Sequence, residues 1–368
     1  MAKVLALSPK YPPHTGGSAT YFSSLVSSLS DDCRFFVITS YHSEKDAVTI
    51  DNDGNKIYRV LPLLEGYPSL IRANLQILVS FLFSAYLFLV KDIDLAHTHS
   101  TSYATPSLAL TALLSRVPII YDCQDLEFPK AIFNINTPSL CFSPSSRIDS
   151  IIKSYGFVKE DRIVRVPIVN PPYVEKFRAD LESKTETGER LDVVYVGAVR
   201  ELKNVDKIVE AVLRMRNEGE NIEMKIVGNI KKPDEITKVT EIYSDEEGIR
   251  VMGEMGHREA LSQIRDSDIL VHASSYEAGP RTVLEAMEIG TPVVSTPVGI
   301  VKDIVKDGEN GLLTSSNPND IKRSIKKLKN PSLRKRCIRN GWETIEIYGR
   351  GSAESNVRKT YQSILKTQ

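Results

Sequence analysis

Asp268-Ile269-Leu270-Val271-His272-Ala273-Ser274-Ser275-Tyr276-Glu277-Ala278-Gly279-Pro280-Arg281-Thr282-Val283-Leu284-Glu285-Ala286-Met287 passes from an apolar run through a turn into a helix. Residues 268–273 are almost continuously apolar, which reads as a strand buried on both faces. Gly279 lets the backbone come close to a ligand. Pro280 suits the first helical position, where no N–H is needed. A strand, a tight turn and a helix N-terminus make an anion site, because open N–H groups and the helix dipole point at the turn. Glu277 and Glu285 bracket that turn and would repel a bare phosphate. They are better matched to hydroxyl groups. Phosphate flanked by hydroxyls is the chemistry of a nucleotide sugar.

The same alternation extends in both directions. In the second half, strands are expected at 191–197, 222–227, 249–252, 268–273 and 292–295. Helices fall between them at 204–217, 234–246, 257–266 and 280–289. In the first half, strands at 3–8, 35–39, 57–61, 94–99, 117–122 and 140–143 alternate with helices at 18–29, 101–114 and 145–155. Alternating strand and helix predicts a parallel α/β sheet, here twice over. A chain of 368 residues is expected to hold two domains. The prolines of 167–172 and the charged stretch 182–190 mark their connection. The expected division is an N-terminal domain at 1–180 and a C-terminal domain at 181–349. Gly349-Arg350-Gly351 would then let a last helix, 350–368, pack back on the first domain. Two doubly wound units would face each other across a cleft, with ligands at the carboxyl ends of the strands. The Gly16-Gly17 loop, His99, the Asp125 loop, the 197–203 loop and the 277–285 turn all fall at such ends.

Lys plus Arg and Asp plus Glu number 47 each, so the net charge is zero. That argues against a general nucleic-acid binder. Cys33, Cys123, Cys141 and Cys337 lack metal-ligand spacing, and the first three lie in apolar runs. This fits a reducing compartment. The N-terminal apolar run is too short for a signal peptide. A cytoplasmic location is expected. Residues 75–90 carry only Gln76, Ser80 and Ser84 as polar side chains. The run falls short of the roughly 18–20 residues needed to span a bilayer. It reads either as a buried helix or as a helix facing the inner side of a membrane, a peripheral contact. His97 and His99 share a strand face, but no third ligand stands at metal spacing, and no Asp-x-Asp pair is placed to hold a metal. His272 reads as a core histidine. Taken singly, Glu277 is an ordinary turn carboxylate, Glu285 a solvated helix residue and Lys203 a surface lysine.

Taken together, these residues resemble the retaining GT-B glycosyltransferases, family four (group 1). Glu277 to Glu285 matches that family's Glu, seven residues, Glu motif. The runs 286–295 and 305–313 also look like it. Val196-Gly197 with Lys203 looks like its phosphate loop, and Gly16-Gly17 with the 94–99 strand matches its N-terminal half. The resemblance implies a GT-B fold and transfer of a sugar from a nucleoside-diphosphate sugar with retained configuration. Glu285 would then bind the ribose hydroxyls, and Glu277 a hydroxyl of the transferred sugar. Backbone N–H groups of Thr282, Val283 and Leu284, beside Gly279, would meet the diphosphate. Lys203 and Gly197 would serve the leaving phosphates, with Arg200 as a candidate to replace the family's arginine absent at Ala198. His99 would sit near the reacting sugar, Asp125 near the acceptor, and Gly16 and Gly17 against the diphosphate from the other domain. Fixed cations and dipoles aimed at the departing phosphate lower the barrier without a metal or cofactor. The leaving phosphate itself would take the acceptor's proton.

Three positions depart from the family pattern. Ala198 replaces an arginine, Pro280 a glycine and Gln124 a histidine. The acceptor stays open among glycan, lipid-linked and small-molecule classes. A GT-B-fold sugar-nucleotide epimerase and a non-catalytic nucleotide-sugar-binding subunit are the competing readings.

Overall fold

The computed structural model describes all residues except 15–16, 44, 63–68, 100–103, 125–130, 167–169, 186–187, 230–247 and 367–368. The chain divides into two compact units, Met1–Pro171 with Gly351–Gln368, and Pro172–Arg350. Each is a doubly wound α/β unit, as the alternation predicts. The helix expected at 234–246 lies outside the described residues.

The first unit is built on β1 (Ala2–Leu7), β2 (Cys33–Ser40), β3 (Val48–Ile50), β4 (Lys56–Leu61), β5 (Leu95–His99), β6 (Ile119–Asp122), β7 (Leu140–Ser143) and β8 (Ile163–Arg165). Their spatial order is β3-β4-β2-β1-β5-β6-β7-β8. All neighbours run parallel except the β3–β4 pair. β1 lies at the centre, with Val4 in register with Phe35 on one side and Leu95 on the other. Strand order reverses between β1 and β5. The helix Arg350–Lys366 closes this unit. Its Tyr361 is buried beside His97, Phe35 and Phe142, with ring centroids 5.9, 6.3 and 6.4 Å away. Its Arg358 pairs with Asp32 and donates to Ser28 O at 3.0 Å.

The second unit carries β9 (Leu191–Val196), β10 (Ile222–Val227), β11 (Ile249–Gly253), β12 (Ile269–His272), β13 (Val293–Ser295) and β14 (Leu312–Leu313). Their order is β11-β10-β9-β12-β13-β14, every pair parallel. Here the order reverses between β9 and β12. The helix Val205–Asn217 buries Val205, Ile208, Val209, Val212 and Met215, the stripe that a 3.6-residue period places on one face.

Several elements differ from expectation. β3, β8 and β14 are short strands with too few residues for a readable alternation. The opening stretch's helix runs Arg281–Ile289, with Pro280 buried at its N-cap rather than inside the first turn. The apolar run 75–90 belongs to a longer helix, Ser69–Lys91. It is not the fully buried helix of one reading. Leu78, Leu82, Tyr86 and Leu89 stand exposed on it, Leu89 at 85%.

One buried cation holds the second unit together at the start of β12. Arg334 is fully buried. It donates from Nη1 to Asp268 Oδ1 at 3.0 Å and from Nε to Leu328 O at 3.1 Å. Removing one partner strands the other charge away from water, at about 3–5 kcal/mol. Urea unfolding of Asp268→Ala, which strands the fully buried arginine, should show a loss of about that size, and Arg334→Ala, which leaves the partly exposed aspartate, a smaller one. Wild-type midpoints would remove Arg334 from this role.

Candidate functional site

The two strand-order reversals are where open α/β sheets bind ligands, just beyond the carboxyl ends of the strands. In the second unit, the loops after β9 and β12 meet there. Gly197 follows β9 with φ +152° and donates to Val227 O at 2.9 Å. Val199 N–H donates to Asn229 O at 3.0 Å. At Gly228 a Cβ would sit 1.9 Å from Gly197 O, so only glycine lets these backbones touch. Beneath them the buried Tyr195 donates its hydroxyl to Ala198 O at 3.0 Å. Arg200, exposed, leads into the short 3-10 turn Glu201–Lys203.

Asn204 then adopts the left-handed conformation, φ 51°. Its side chain donates to Ala273 O at 2.8 Å and Ser275 Oγ at 2.7 Å. Ser275 N–H returns to Leu202 O at 2.9 Å. These bonds tie the phosphate-type loop to the turn after β12. They bring the Lys203 ammonium against Glu277 Oε1. Under this pair lies buried His272, its Nε2 3.4 Å from Glu277 Oε1 and 3.0 Å from Ser274 Oγ. On the turn's other side, Gly299 (φ +51°) packs so closely that a Cβ would fall 2.3 Å from Ala278 O.

The electrostatics of the pair are legible. Burial, then the neighbouring Arg200 guanidinium, push the Lys203 ammonium down to about 8. It is still a cation at pH 7, and the Glu277 carboxylate in contact with it reinforces that charge. Burial, then Lys203, push the His272 ring down to about 3, so it is neutral.

Glu285 sits in a second cluster on the same helix. It is 3% exposed. Arg281 Nε and His257 Nε2 both lie 2.8 Å from its Oε1. His257 opens the helix His257–Arg265, and its Nδ1 is 2.7 Å from the Tyr173 hydroxyl. The Arg258 guanidinium lies 4.2 Å over the Tyr173 ring. Burial alone would push the Glu285 carboxyl up. The Arg281 and His257 contacts outweigh it and hold the carboxyl below its usual range.

Among the expected diphosphate donors, Val283 N–H turns back onto Pro280 O at 3.2 Å. Leu284 lies one residue beyond the N–H groups that a helix leaves open, and Pro280 has none. Thr282 is the one of the three best placed at the open turn. Gly279 is half-buried in that turn.

In the first unit, Gly17 is the exposed first residue of the helix Gly17–Leu29, and a Cβ there would meet nothing within 4 Å. His99 is fully buried. Its Nδ1 lies 2.9 Å from Asp122 Oδ2 and its Nε2 2.9 Å from Ser18 Oγ. Gly16 and Asp125 lie outside the described residues. Sequence reasoning missed Asp122, Ser18, His257, Tyr173 and Asn204, and gave Arg281 no partner. Asp122 and Ser18 had a signal, since each sits at the carboxyl end of a strand or the helix start after one. His257 and Tyr173 had none. His257 reaches Glu285 from 28 residues away in sequence, and Tyr173 reaches His257, both through the fold alone.

Residues 176–344 match the family model described as Glycosyl transferases group 1. That match spans most of the second unit. An uncharacterized glycosyltransferase of Methanocaldococcus jannaschii is 26% identical over 371 residues, 96% of each chain. Sucrose-phosphate synthase of Thermosynechococcus elongatus superposes with a TM-score of 0.80 at 15% identity over 100% of both chains. Anabaena HepE, solved in complex with UDP-glucose, gives 0.74 at 15% over 99% of this chain and 100% of its own. The fold is GT-B, and residues 176–344 resemble the group 1 glycosyltransferases.

The Glu285 cluster makes a pH-dependent contribution to stability. Its folded carboxyl lies below the unfolded value of about 4.3. The contribution is therefore present above that value and lost as pH falls through the folded one. Glu285→Gln should cost about 2 kcal/mol at pH 7, the scale of charge-assisted hydrogen bonds. In urea unfolding, that cost should shrink below pH 4. A cost independent of pH would count against the assignment.

Proposed function

We propose that the protein is a glycosyltransferase that moves a sugar from a nucleoside-diphosphate sugar to an acceptor hydroxyl, with retained configuration and without a metal. The observation that carries this reading is the Lys203–Glu277 pair at the β9/β12 reversal, four residues ahead of a helix start. A cation and a carboxylate side by side match a phosphate next to a sugar hydroxyl. In the step proposed, the bond from the anomeric carbon to the phosphate oxygen breaks and negative charge grows on the leaving diphosphate. Lys203 and the Thr282 N–H stabilise that charge. Glu277 accepts from a hydroxyl of the transferred sugar, and Glu285 from the ribose. The acceptor oxygen bonds to the anomeric carbon on the same face, and its proton passes to the leaving phosphate. HepE, a structural neighbour, holds UDP-glucose, which supports a nucleotide sugar as donor here.

The test is turnover of a panel of UDP- and GDP-sugars, with the anomer of the product read by nuclear magnetic resonance. Glu277→Gln and Lys203→Ala should each lower kcat/KM by about a hundredfold or more, the cost of removing one transition-state contact. Released nucleoside diphosphate supports transfer. A changed sugar still attached to its nucleotide would support the epimerase reading instead. The rate should also decline as pH rises through about 8, because Lys203 then loses its proton. Lys203→Arg should move that decline upward. An unchanged alkaline limb would take Lys203 out of the role.

We also propose that the first unit docks on a lipid surface at the cytoplasmic face of a membrane. The helices Ser69–Lys91 and Thr105–Leu114 carry their small polar residues inward. Ser84 Oγ lies 3.0 Å from Thr111 Oγ1, and Ser107 donates to Ile77 O at 2.8 Å. Leu78, Leu82, Leu89, Leu110, Leu113 and Leu114 face outward, while Leu87 and Leu108 point into the unit. A helix on a water-soluble unit is patterned the other way, whereas small and polar residues between helices suit packing in lipid. Stretch 73–91 is apolar enough to cross a bilayer, but buried Ser80, Ser84 and Leu87 fasten it to this unit, so it lies in the surface. All four cysteines are free and buried, which fits the reducing side. Flotation with phosphatidylglycerol-rich vesicles should carry the protein. Leu82→Asp with Leu89→Asp should weaken that binding more than about tenfold, as each leucine contributes about 1.5–3 kcal/mol. Equal flotation of the variant would sink the idea.

A further inference from the structure

The strand-order reversal of the first unit, between β1 and β5, holds a hydrogen-bonded chain that ends at the surface. Ser18 lies in the first turn of the helix after β1 and is exposed. Its Oγ is 2.9 Å from His99 Nε2 at the end of β5. His99 Nδ1 is 2.9 Å from Asp122 Oδ2 at the end of β6, its register partner. Asp122 is fully buried, and its other oxygen accepts from the Gln124 amide at 2.6 Å. Tyr21 and Phe22 stack on the His99 ring with centroids 5.3 and 4.9 Å away, which fixes its plane.

The direction of each bond follows from the chemistry. A buried carboxylate can only accept, so His99 Nδ1 carries the proton and donates to Asp122. In the neutral ring Nε2 is then the acceptor. Ser18 has one proton and gives it to Nε2. What its oxygen still offers outward is lone pairs. The neighbouring His97 does not disturb this. Burial pushes it down to about 4, its Nδ1 is engaged by Tyr361, and its Nε2 stands 3.8 Å from Asp122 Oδ2, beyond hydrogen-bond reach.

We infer that Ser18 Oγ is a binding group for a ligand hydroxyl, acting as an acceptor only, with His99 and Asp122 as the positioning residues that set its polarity. Such a group takes a sugar O–H and offers nothing to a phosphate oxygen. The contact from this strand end is therefore to a sugar hydroxyl, of donor or acceptor, rather than to the diphosphate. His99, sealed beneath, acts through Ser18. This rests on the transferase reading for its ligand, while the polarity of the chain does not.

Two measurements on the full-length protein decide it. Long-range proton–nitrogen correlation spectra should show His99 as the Nδ1–H tautomer between pH 6 and 8, and Asp122→Asn should mix the two tautomers. A dominant Nε2–H form would overturn the inference whatever the enzyme turns over. With the UDP- or GDP-sugar turned over fastest, Ser18→Ala should lower kcat/KM about tenfold, the scale of one lost hydrogen bond. Ser18→Thr, which keeps the hydroxyl, should restore most of it. If Ser18→Ala matches wild type while Lys203→Ala does not, Ser18 is no binding group and the transferase reading stands. If no nucleotide sugar is turned over, the transferase reading fails, and the tautomer spectra still decide the polarity of the chain.

Discussion

The contact between the Lys203 ammonium and the Glu277 carboxylate is the interaction that the second unit's site depends on. Both side chains are largely removed from water, so each would be costly to leave alone. Neither loop could hold its residue in place by itself. The 197–204 loop is fixed from one side by the Gly197–Gly228 backbone contact. The Glu277 turn is fixed from the other by Gly299 against Ala278 O. Asn204 then bolts the two loops together through Ala273 O and Ser275. A side chain at Gly228 or Gly299 would have to displace backbone, and the ion pair would separate with it. Under the proposed function, the pair is the resting arrangement of two groups that an incoming phosphate and sugar hydroxyl would each claim.

Much of this was legible locally. Buried parallel strands announce themselves as short apolar runs between turn residues, so the strands bearing the site were placed within a residue or two. Glu277 and Glu285 stood out because their spacing across a strand-turn-helix is itself a local pattern. What surrounds Glu285 was not legible. A carboxylate buried to 3% exposure needs partners, but nothing in the sequence says that they are His257 and Arg281. Arg281 is four residues away on the same helix face. His257 arrives only because its helix packs against the helix Arg281–Ile289. Pro280 shows the limit at single-residue scale. The proline was rightly seen as a helix opener, yet it caps the helix from outside, and that difference of one position decides which N–H groups remain open.

His99 shows the reverse case. Its place at the end of β5 marked it for the chemistry, since strand ends in such sheets meet ligands. Burial is a property of the packed unit, and there the ring lies under the first turn of the helix Gly17–Leu29 with both nitrogens engaged. The sequence could place the residue at the right end of the right strand. It could not show that the group reaching solvent is the serine above it.

The Gln124 departure becomes intelligible in that setting. Asp122 is a buried anion with two oxygens to satisfy. One is met by His99, the other by the Gln124 amide, which also lies 3.2 Å from the Tyr21 hydroxyl. A histidine at 124 could supply one ring N–H to Asp122. It would compete with His99 for the same charge and could itself be drawn toward protonation. Glutamine donates without titrating. It adds no further titrating ring beside a carboxylate that already faces His99 Nδ1 at 2.9 Å and His97 Nε2 at 3.8 Å, and so fits a chain in which His99 Nδ1 donates to Asp122. The substitution that departs from the family pattern is thus one that suits the chain beneath Ser18.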